Sequence, residues 1–352
     1  MLYHLTLNMP ADTMPFQGFL LNGYLWVDLF FVLSGFVMAY SQAPFFQRGY
    51  RIRLHLSFLI SRLARIYPLY ALVIVESALG TAWRLDHTEL ASLGRTLVLN
   101  LTLVQAWGLA ISLEGAAWSI STEWGAYLLF PALLAVTVLR SRWAAGISGL
   151  LALSGVVFLA MSPGPFGFDW QNRTGPLDIY SSATAAPLLR CVAEFALGLF
   201  AYRIWIELTH RGFVFGGWAA SVVSILLAIV MSLSGFDVLI VLLFVALLVS
   251  LASQVGMLST LLSGRVPYVL GQWSYSIYLI HDKFSHPAAL LQTRLKAGNV
   301  PLPSVVAGTV ICALVIALGG MSFYFVERPL RRWLMKFRQE LGGATLVTRA
   351  AQ

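Results

Sequence analysis

Six side chains that can carry protons or bind anions lie within or beside long apolar stretches of this sequence. They are two histidines, two acids and two arginines: His4, His281, Asp28, Glu123, Arg62 and Arg65. A histidine beside a carboxylate is the usual arrangement of a general base, because the carboxylate orients the imidazole and stabilises its protonated form. Two arginines three residues apart share one helix face, and their guanidinium groups suit the oxygens of a phosphate.

The composition places these residues in a membrane protein. Of the 352 residues, 59% are hydrophobic and only 11% are charged, whereas a soluble domain carries about 25% charged residues. The apolar stretches are continuous and about 20 residues long, which indicates membrane-spanning helices. The sequence therefore predicts an all-α, polytopic membrane helix bundle.

We predict nine full spans and the N-terminal stub of a tenth helix at residues 1–7. The nine spans are 22–40, 66–83, 116–139, 144–161, 187–205, 213–233, 237–252, 266–281 and 305–326. Residues 47–65 are predicted to be a basic connector, and residues 96–112 an interfacial or re-entrant helix. The membrane domain covers 1–327, and 328–352 form a basic amphipathic tail on the membrane surface.

The basic residues orient the predicted spans. If the connector at 47–65 is cytoplasmic, 16 of the 23 lysines and arginines lie on the cytoplasmic side, as the positive-inside rule requires. This orientation puts the C-terminus in the cytoplasm. It also places His4, Asp28, Glu123 and His281 together at the outer side of the bundle.

Each outer residue also has a purely structural interpretation. Asp28 would simply end its helix at headgroup depth, and His281 would cap its helix or bond a backbone carbonyl. Trp118 would be an aromatic-belt anchor. Glu123 is harder to explain in this way, because an acid five residues inside a span costs about 2.5–3.5 kcal/mol on insertion scales.

The remaining charged residues allow two interpretations as well. The positive-inside rule alone accounts for Arg62 and Arg65. Within predicted spans, Glu76 and Glu194 would form ion pairs with arginines such as Arg190, or they would line a polar channel.

Six motifs carry a resemblance to a known family, in the order in which the family has them. They are His4 after an apolar stub, GYLWVDLFFVLSGF at 23–36, SRLARIYPLY at 61–70, AWSISTEWGAYLLFP at 117–131, WSYSIYLIH at 273–281 and ERP at 327–329. On these motifs the chain resembles the membrane acyltransferase 3 family, whose members O-acylate sugars and related acceptors. The motifs extend over nearly the whole chain, and the resemblance implies ten transmembrane helices.

The resemblance implies an enzyme of the bacterial inner membrane. Its donor would be acyl-CoA, most often acetyl-CoA, which acts as a substrate, with no bound cofactor and no metal. Its acceptor would be a hydroxyl of a carbohydrate or glycolipid, as in the O-acetylation of a cell-envelope polysaccharide. The lipid bilayer is its other partner, and no nucleic acid is expected.

The resemblance also implies roles for individual residues. His4 would be the catalytic base, and Asp28 or Glu123 would orient its imidazole. Arg62 and Arg65, which match the RxxR of the family, would bind the phosphates of coenzyme A.

The predicted substrate contacts are Trp118, Ser119 and His281. All three lie at the predicted outer ends of their spans.

Two further expectations concern the start of the chain and the class of protein. The family has an arginine about ten residues before its histidine, whereas this sequence starts three residues before His4. A late start, a fragment or a genuine truncation would each account for the difference. A membrane permease with a path through Glu76, Glu123, Glu194 and His281 is the alternative function, but no paired repeats of the kind seen in transporters support it.

Overall fold

The computed structural model describes residues 3, 17–83, 85–162, 174–182, 184–284 and 304–340. Within these residues every regular element is helical, as predicted. His4 and the rest of the predicted stub, apart from Tyr3, lie outside the described residues.

The helices are numbered along the chain. They are α1 (Gln17–Leu21), α2 (Trp26–Phe46), α3 (Ile52–Ala82), α4 (His87–Leu101), α5 (Ala117–Leu134), α6 (Arg142–Met161), α7 (Ala186–His210), α8 (Ala219–Val230), α9 (Asp237–Ala252), α10 (Met257–Leu262), α11 (Arg265–His281), α12 (Ser304–Ser322) and α13 (Arg328–Glu340). A 3-10 turn at Asn22–Leu25 joins α1 to α2. Two π-helical turns, at Ala135–Leu139 and Phe323–Glu327, follow α5 and α12.

Five helical segments of the described chain are long and apolar enough to cross a membrane. They are Gly18–Phe46, Ile52–Ala82, Ala117–Leu139, Arg142–Met161 and Gly308–Lys336. Helices α8 and α9 are apolar but shorter. The predicted all-α bundle is therefore confirmed, whereas the predicted number of nine full spans is not.

Two segments differ from the sequence prediction. Most of the predicted connector at 47–65 is helical, because α3 begins at Ile52 and runs for 31 residues. A helix of that length measures about 46 Å, against a hydrocarbon core of about 30 Å, so its basic first turns extend beyond the spanning part. The predicted helix at 96–112 ends with α4 at Leu101. The buried Asn100 side chain holds the turns that follow, since it donates to the Ile111 carbonyl oxygen at 2.9 Å and accepts from the Leu113 N–H at 3.1 Å.

Helix α7 is the centre of the bundle, where it packs against α2, α5, α6 and α9. Its contact with α2 is made backbone to backbone through two glycines. A Cβ atom on Gly35 would lie 2.0 Å from the carbonyl oxygen of Phe195, and one on Gly198 would lie 2.0 Å from that of Val32. This close approach fixes the depth of α2 against α7, and with it the relative height of the polar side chains on both helices.

Candidate functional site

A cavity of about 640 Å³ lies at the end of the bundle where α5 begins, which we call the Trp118 end. Helices α2, α5, α7 and α11 contribute to its wall. Its lining combines many apolar and aromatic residues with a few polar groups, as is typical of small-molecule sites. The residues that line it are Tyr3, Phe19, Leu20, Gly23, Tyr24, Trp26, Val27, Phe30, Gly115, Ala116, Trp118, Thr174, Asp178, Tyr180, Arg190, Tyr278, His281 and Asp282.

A buried ion pair borders the cavity. Arg190 on α7 lines the cavity and Asp28 on α2 does not, and both side chains are at most 1% exposed. Arg190 Nε donates to Asp28 Oδ1 at 2.8 Å and Nη2 donates to Oδ2, so the guanidinium holds both carboxylate oxygens. Its Nη1 donates to the Ile179 carbonyl oxygen at 3.1 Å, and the Trp118 ring lies 5.8 Å from the guanidinium carbon. Asp28 therefore faces the interior of the bundle rather than the lipid headgroups.

Arg190 also lies beside a second acid. Glu194 Oε1, one helical turn further along α7, is 3.5 Å from Arg190 Nε and is completely buried. The predicted ion pair between Glu194 and Arg190 is thus confirmed, and two carboxylates share one guanidinium group. Glu76, in contrast, pairs with Lys283 and not with an arginine.

The predicted substrate residues have different positions. Trp118 and His281 line the cavity. The His281 imidazole is hydrogen-bonded through Nδ1 to the Tyr278 carbonyl oxygen, and it packs against the Tyr278 ring at 5.5 Å. Ser119 does not line the cavity. Its hydroxyl lies 2.7 Å from the Tyr278 hydroxyl, so it positions a ring that does.

Tyr3 is part of the cavity wall. Its hydroxyl lies 3.1 Å from Thr174 Oγ1 and donates to Asp178 Oδ2 at 3.3 Å. Its ring packs against that of Tyr24, with 6.0 Å between the centroids. His4 is the next residue in the chain and lies outside the described residues.

Glu123 does not line the cavity. Its Oε1 accepts hydrogen bonds from Ser34 and Tyr127, both at 2.6 Å. Arg62 lies within electrostatic range of Tyr127. The hydrogen bonds described for Glu123 therefore come from Ser34 and Tyr127 and not from Arg190, the partner of Asp28.

A cluster of arginines lies at the opposite end of the bundle, which we call the Arg62 end. Arg331 on α13 is within electrostatic range of both Arg62 and Arg65 on α3. Glu327 faces Arg65 and Arg331, and it accepts a hydrogen bond of 2.9 Å from Ser276. Among the described residues the Arg62 Nε is buried and has no hydrogen-bond partner. Positive charge is therefore concentrated where the sequence predicted a phosphate site.

A separate charged cluster ties the end of α11 to the turns before α5. Lys283 Nζ donates to Glu76 and, at 3.0 Å, contacts Glu114, which also accepts a hydrogen bond of 2.8 Å from Ser77. Burial raises the pKa of the Glu114 carboxyl above its ordinary value of 4.5, although Lys283 and Ser77 act in the opposite direction. Burial lowers the pKa of Lys283, but its bonds to both glutamates more than offset this effect, so Lys283 stays protonated at neutral pH.

We expect this cluster to make stability depend on pH. Because the folded protein binds the Glu114 proton more tightly than the unfolded chain, the contribution of Glu114 is full below pH 4.5 and is lost as the pH rises through the raised folded pKa. Glu114→Gln should remove this part of the decline in Tm, measured from about pH 4 to about pH 8. Glu89→Gln is the control, because Glu89 is exposed and glutamine keeps an oxygen for the Asp86 N–H. If Tm fell with pH to the same extent in the wild type and in Glu114→Gln, the expectation would be contradicted.

Three residues have places in these clusters that the sequence did not predict. Arg190 was not identified as the partner of Asp28, although an arginine within a predicted span was a signal that an acid lies nearby. The roles of Tyr278 and Arg331 could not be predicted from the sequence. A tyrosine near the end of a span and an arginine in a basic tail are both common in membrane proteins. In the described residues no group of three or more histidine, cysteine, aspartate or glutamate side chains could hold a metal ion.

Comparisons with known proteins identify the family of this chain. The sequence profile of the acyltransferase 3 family, an acyltransferase domain, matches residues 1–320. The chain is 27% identical over 352 residues to "Acyltransferase MdmB" of Streptomyces mycarofaciens, an alignment that covers 90% of this chain and 83% of that protein. It is 32% identical over 155 residues to "Protein 2 in picA locus" of Rhizobium radiobacter, which covers 39% of this chain and 78% of that protein. No solved structure matches the chain significantly. The chain therefore belongs to the acyltransferase 3 family and is an integral membrane enzyme that transfers acyl groups.

Proposed function

We propose that this enzyme transfers an acyl group, with acetyl as the first candidate, from acyl-CoA to a hydroxyl of a carbohydrate or glycolipid. The observation that carries the proposal is the separation of two chemically different regions in one bundle. An aromatic and polar cavity lies at the Trp118 end, and a cluster of arginines lies at the Arg62 end. A transferase that meets its donor on one side of a membrane and its acceptor on the other needs both.

The cavity is the acceptor site. Its volume of about 640 Å³ is within the range of small-molecule sites. The flat rings of Trp118 and Tyr180 suit the apolar faces of a sugar, and Asp178 and Thr174 offer hydrogen bonds to hydroxyl groups. Acceptors of this kind belong to the cell envelope.

His4 is the base. It removes the proton of the acceptor hydroxyl while that oxygen attacks the thioester carbonyl carbon. The carbon–sulfur bond then breaks, and the thiolate takes the proton back from the imidazolium. The position of Tyr3 in the cavity wall supports this assignment, because His4 is its neighbour. Asp28 is better placed than Glu123 to orient the imidazole, since its partner Arg190 lines the same cavity.

The donor enters at the Arg62 end, which is cytoplasmic in this proposal. Arg62 and Arg65 bind the phosphates of coenzyme A, and the hydrogen-bonded group around Glu123 lies along the way to the cavity. The bias of basic residues supports this orientation, with the C-terminus inside and the protein in the bacterial inner membrane. The permease alternative has no support from the acyltransferase relatives.

We expect His4→Ala to abolish acyl transfer while coenzyme A binding persists. Loss of a general base lowers kcat by about 10²–10⁴-fold, and the donor phosphates bind at the other end of the bundle. The measurement is thioester consumption by purified full-length protein in nanodiscs, with and without an extract of envelope glycans. His210→Ala is the matched control, because His210 is exposed at the end of α7. Unchanged transfer by His4→Ala would exclude His4 as the base.

The acceptor is identified by a separate experiment. Mass spectra of envelope glycans and glycolipids from a deletion strain should lack one acyl increment that wild type shows. Identical spectra would contradict a carbohydrate or glycolipid acceptor from the envelope.

A further inference from the structure

Helix α13 is held against the arginine-bearing part of α3. Its first residue follows Glu327, which is buried and accepts a hydrogen bond of 2.9 Å from Ser276 on α11. The neighbouring Tyr275 donates through its hydroxyl to the Ile66 carbonyl oxygen at 2.5 Å. Ile66 directly follows Arg65, and α13 itself packs on α3. These contacts fix the first turn of α13, which includes Arg331, beside Arg65.

The charges that meet there are unbalanced. Arg331 on α13 lies within electrostatic range of both Arg62 and Arg65 on α3. Because all three side chains are positively charged, they repel one another. The carboxylate that faces Arg65 and Arg331 is Glu327, which already accepts the Ser276 hydroxyl. Within the described chain, none of the ion pairs includes any of these three arginines. A bound anion would relieve this repulsion.

The Arg62 side chain shows where such an anion would bind. Its guanidinium carbon lies 5.8 Å from the centre of the Phe58 ring, which packs one face of the group. Its Nε is buried, and no residue in the described ranges accepts its hydrogen. A buried donor without an acceptor is unfavourable, and a ligand oxygen would satisfy it.

We propose that Arg331 is the third cation of the donor site and that, with Arg62 and Arg65, it holds the phosphates of the acyl donor's nucleotide end. The inference rests on the proposed function, in which Arg62 and Arg65 bind coenzyme A. It adds that α13 forms one wall of the donor site. Guanidinium groups from two helices can each engage a different phosphate of one ligand, with two parallel hydrogen bonds apiece.

A phospholipid headgroup offers the same phosphate chemistry, and α13 is basic and amphipathic enough to lie on a membrane surface. The test must therefore separate a nucleotide phosphate from a lipid phosphate. It must also separate a specific contact from a general loss of positive charge.

The experiment measures binding of coenzyme A itself to the full-length protein in phosphatidylcholine nanodiscs. Arg331→Gln is compared with Arg332→Gln, which removes the same charge from the adjacent position, about 100° around the helix. We expect Arg331→Gln to weaken binding about tenfold, as the loss of one charge-assisted contact predicts. Arg332→Gln should change binding less than about twofold, and KM for acetyl-CoA should rise in Arg331→Gln while kcat is kept. Unchanged Tm values establish that both variants fold.

Equal effects of the two substitutions would overturn the inference, because they would show only a general surface charge. An effect of Arg331→Gln that appears only when anionic lipid is added to the nanodiscs would also overturn it, in favour of a lipid headgroup. If Arg65→Gln weakens binding and Arg331→Gln does not, the inference fails while the proposed function stands. If the wild type does not bind coenzyme A, both fail.

Discussion

Replacing Gly35 with alanine is expected to prevent α2 and α7 from packing together. The new Cβ would lie 2.0 Å from the carbonyl oxygen of Phe195 and 2.9 Å from its carbonyl carbon. Both are backbone atoms of the central helix, so no side-chain rotation relieves the clash. Overpacking of this kind costs about 3 kcal/mol, and here separating the helices would also pull apart the buried ion pair between them.

The measurement is thermal unfolding and size-exclusion chromatography of the purified protein in detergent. The control is Gly146→Ala on α6, because a Cβ atom at Gly146 would have no other atom within 4 Å. We expect that substitution to leave Tm unchanged or slightly raised, since alanine favours a helix over glycine. A wild-type Tm for Gly35→Ala would show that α2 and α7 can separate without loss of the fold.

The second large effect is expected at the Asp28–Arg190 pair. Removing one partner of a buried ion pair destabilises a protein by about 3–5 kcal/mol, because the other charge stays buried without compensation. Asp28→Asn should be the milder change, since Arg190 keeps Glu194 at 3.5 Å. Arg190→Gln should be the more severe, since it leaves two carboxylates without their cation. Glu207→Gln is the control, because its pair with Arg203 is partly exposed and such pairs contribute less than about 1 kcal/mol.

The double variant Asp28→Asn/Arg190→Gln separates stability from catalysis. It removes both charges of the pair and should regain the part of the stability that Arg190→Gln loses through Asp28, while Glu194 still lacks its cation. Acyl transfer should be lost, because no carboxylate is left at position 28 to orient His4. Recovery of both stability and transfer would show that Asp28 has only a structural role.

The sequence predicted the type of elements well and the partners of single residues poorly. The cost of an acid in an apolar helix singled out Asp28, but its partner Arg190 is 162 positions further along the chain. That pairing depends on how deeply α2 sits against α7, which Gly35 and Gly198 determine. Neither glycine stands out among the 29 glycines of the chain, because small residues are common in membrane helices.

The sequence placed Glu123 at the same depth in the membrane as Asp28, whereas in the structure Glu123 is bonded to Ser34, which lies deeper. The rise per residue of a helix explains the difference. Glu123 lies five positions after Trp118, which places it about 7.5 Å deeper along α5. Its partner Ser34 lies six positions after Asp28, about 9 Å deeper along α2. Assignment of residues to one end of a span cannot resolve such a difference. The two residues therefore have separate neighbours in the folded protein.

A similar limit applies to α3. In the sequence, high hydropathy indicates which part of a helix lies in the hydrocarbon core of the membrane, and arginines indicate where the helix reaches the membrane surface. Neither marks where the helix ends, because arginine is itself a good helix former. The basic residues at 51–65 were therefore assigned to a connector, whereas all but the first belong to the helix.

The order of residues along the chain has a consequence for biosynthesis. Helix α2 is made well before α7, so Asp28 enters the membrane environment while Arg190 has not yet been synthesised. A membrane helix inserts first and associates with its neighbours afterwards. During that interval Asp28 has no cation from α7, and we expect it to stay near water, since burying an unpaired acid in the apolar core is unfavourable. We therefore expect α2 to reach its final depth only after α7 has been synthesised.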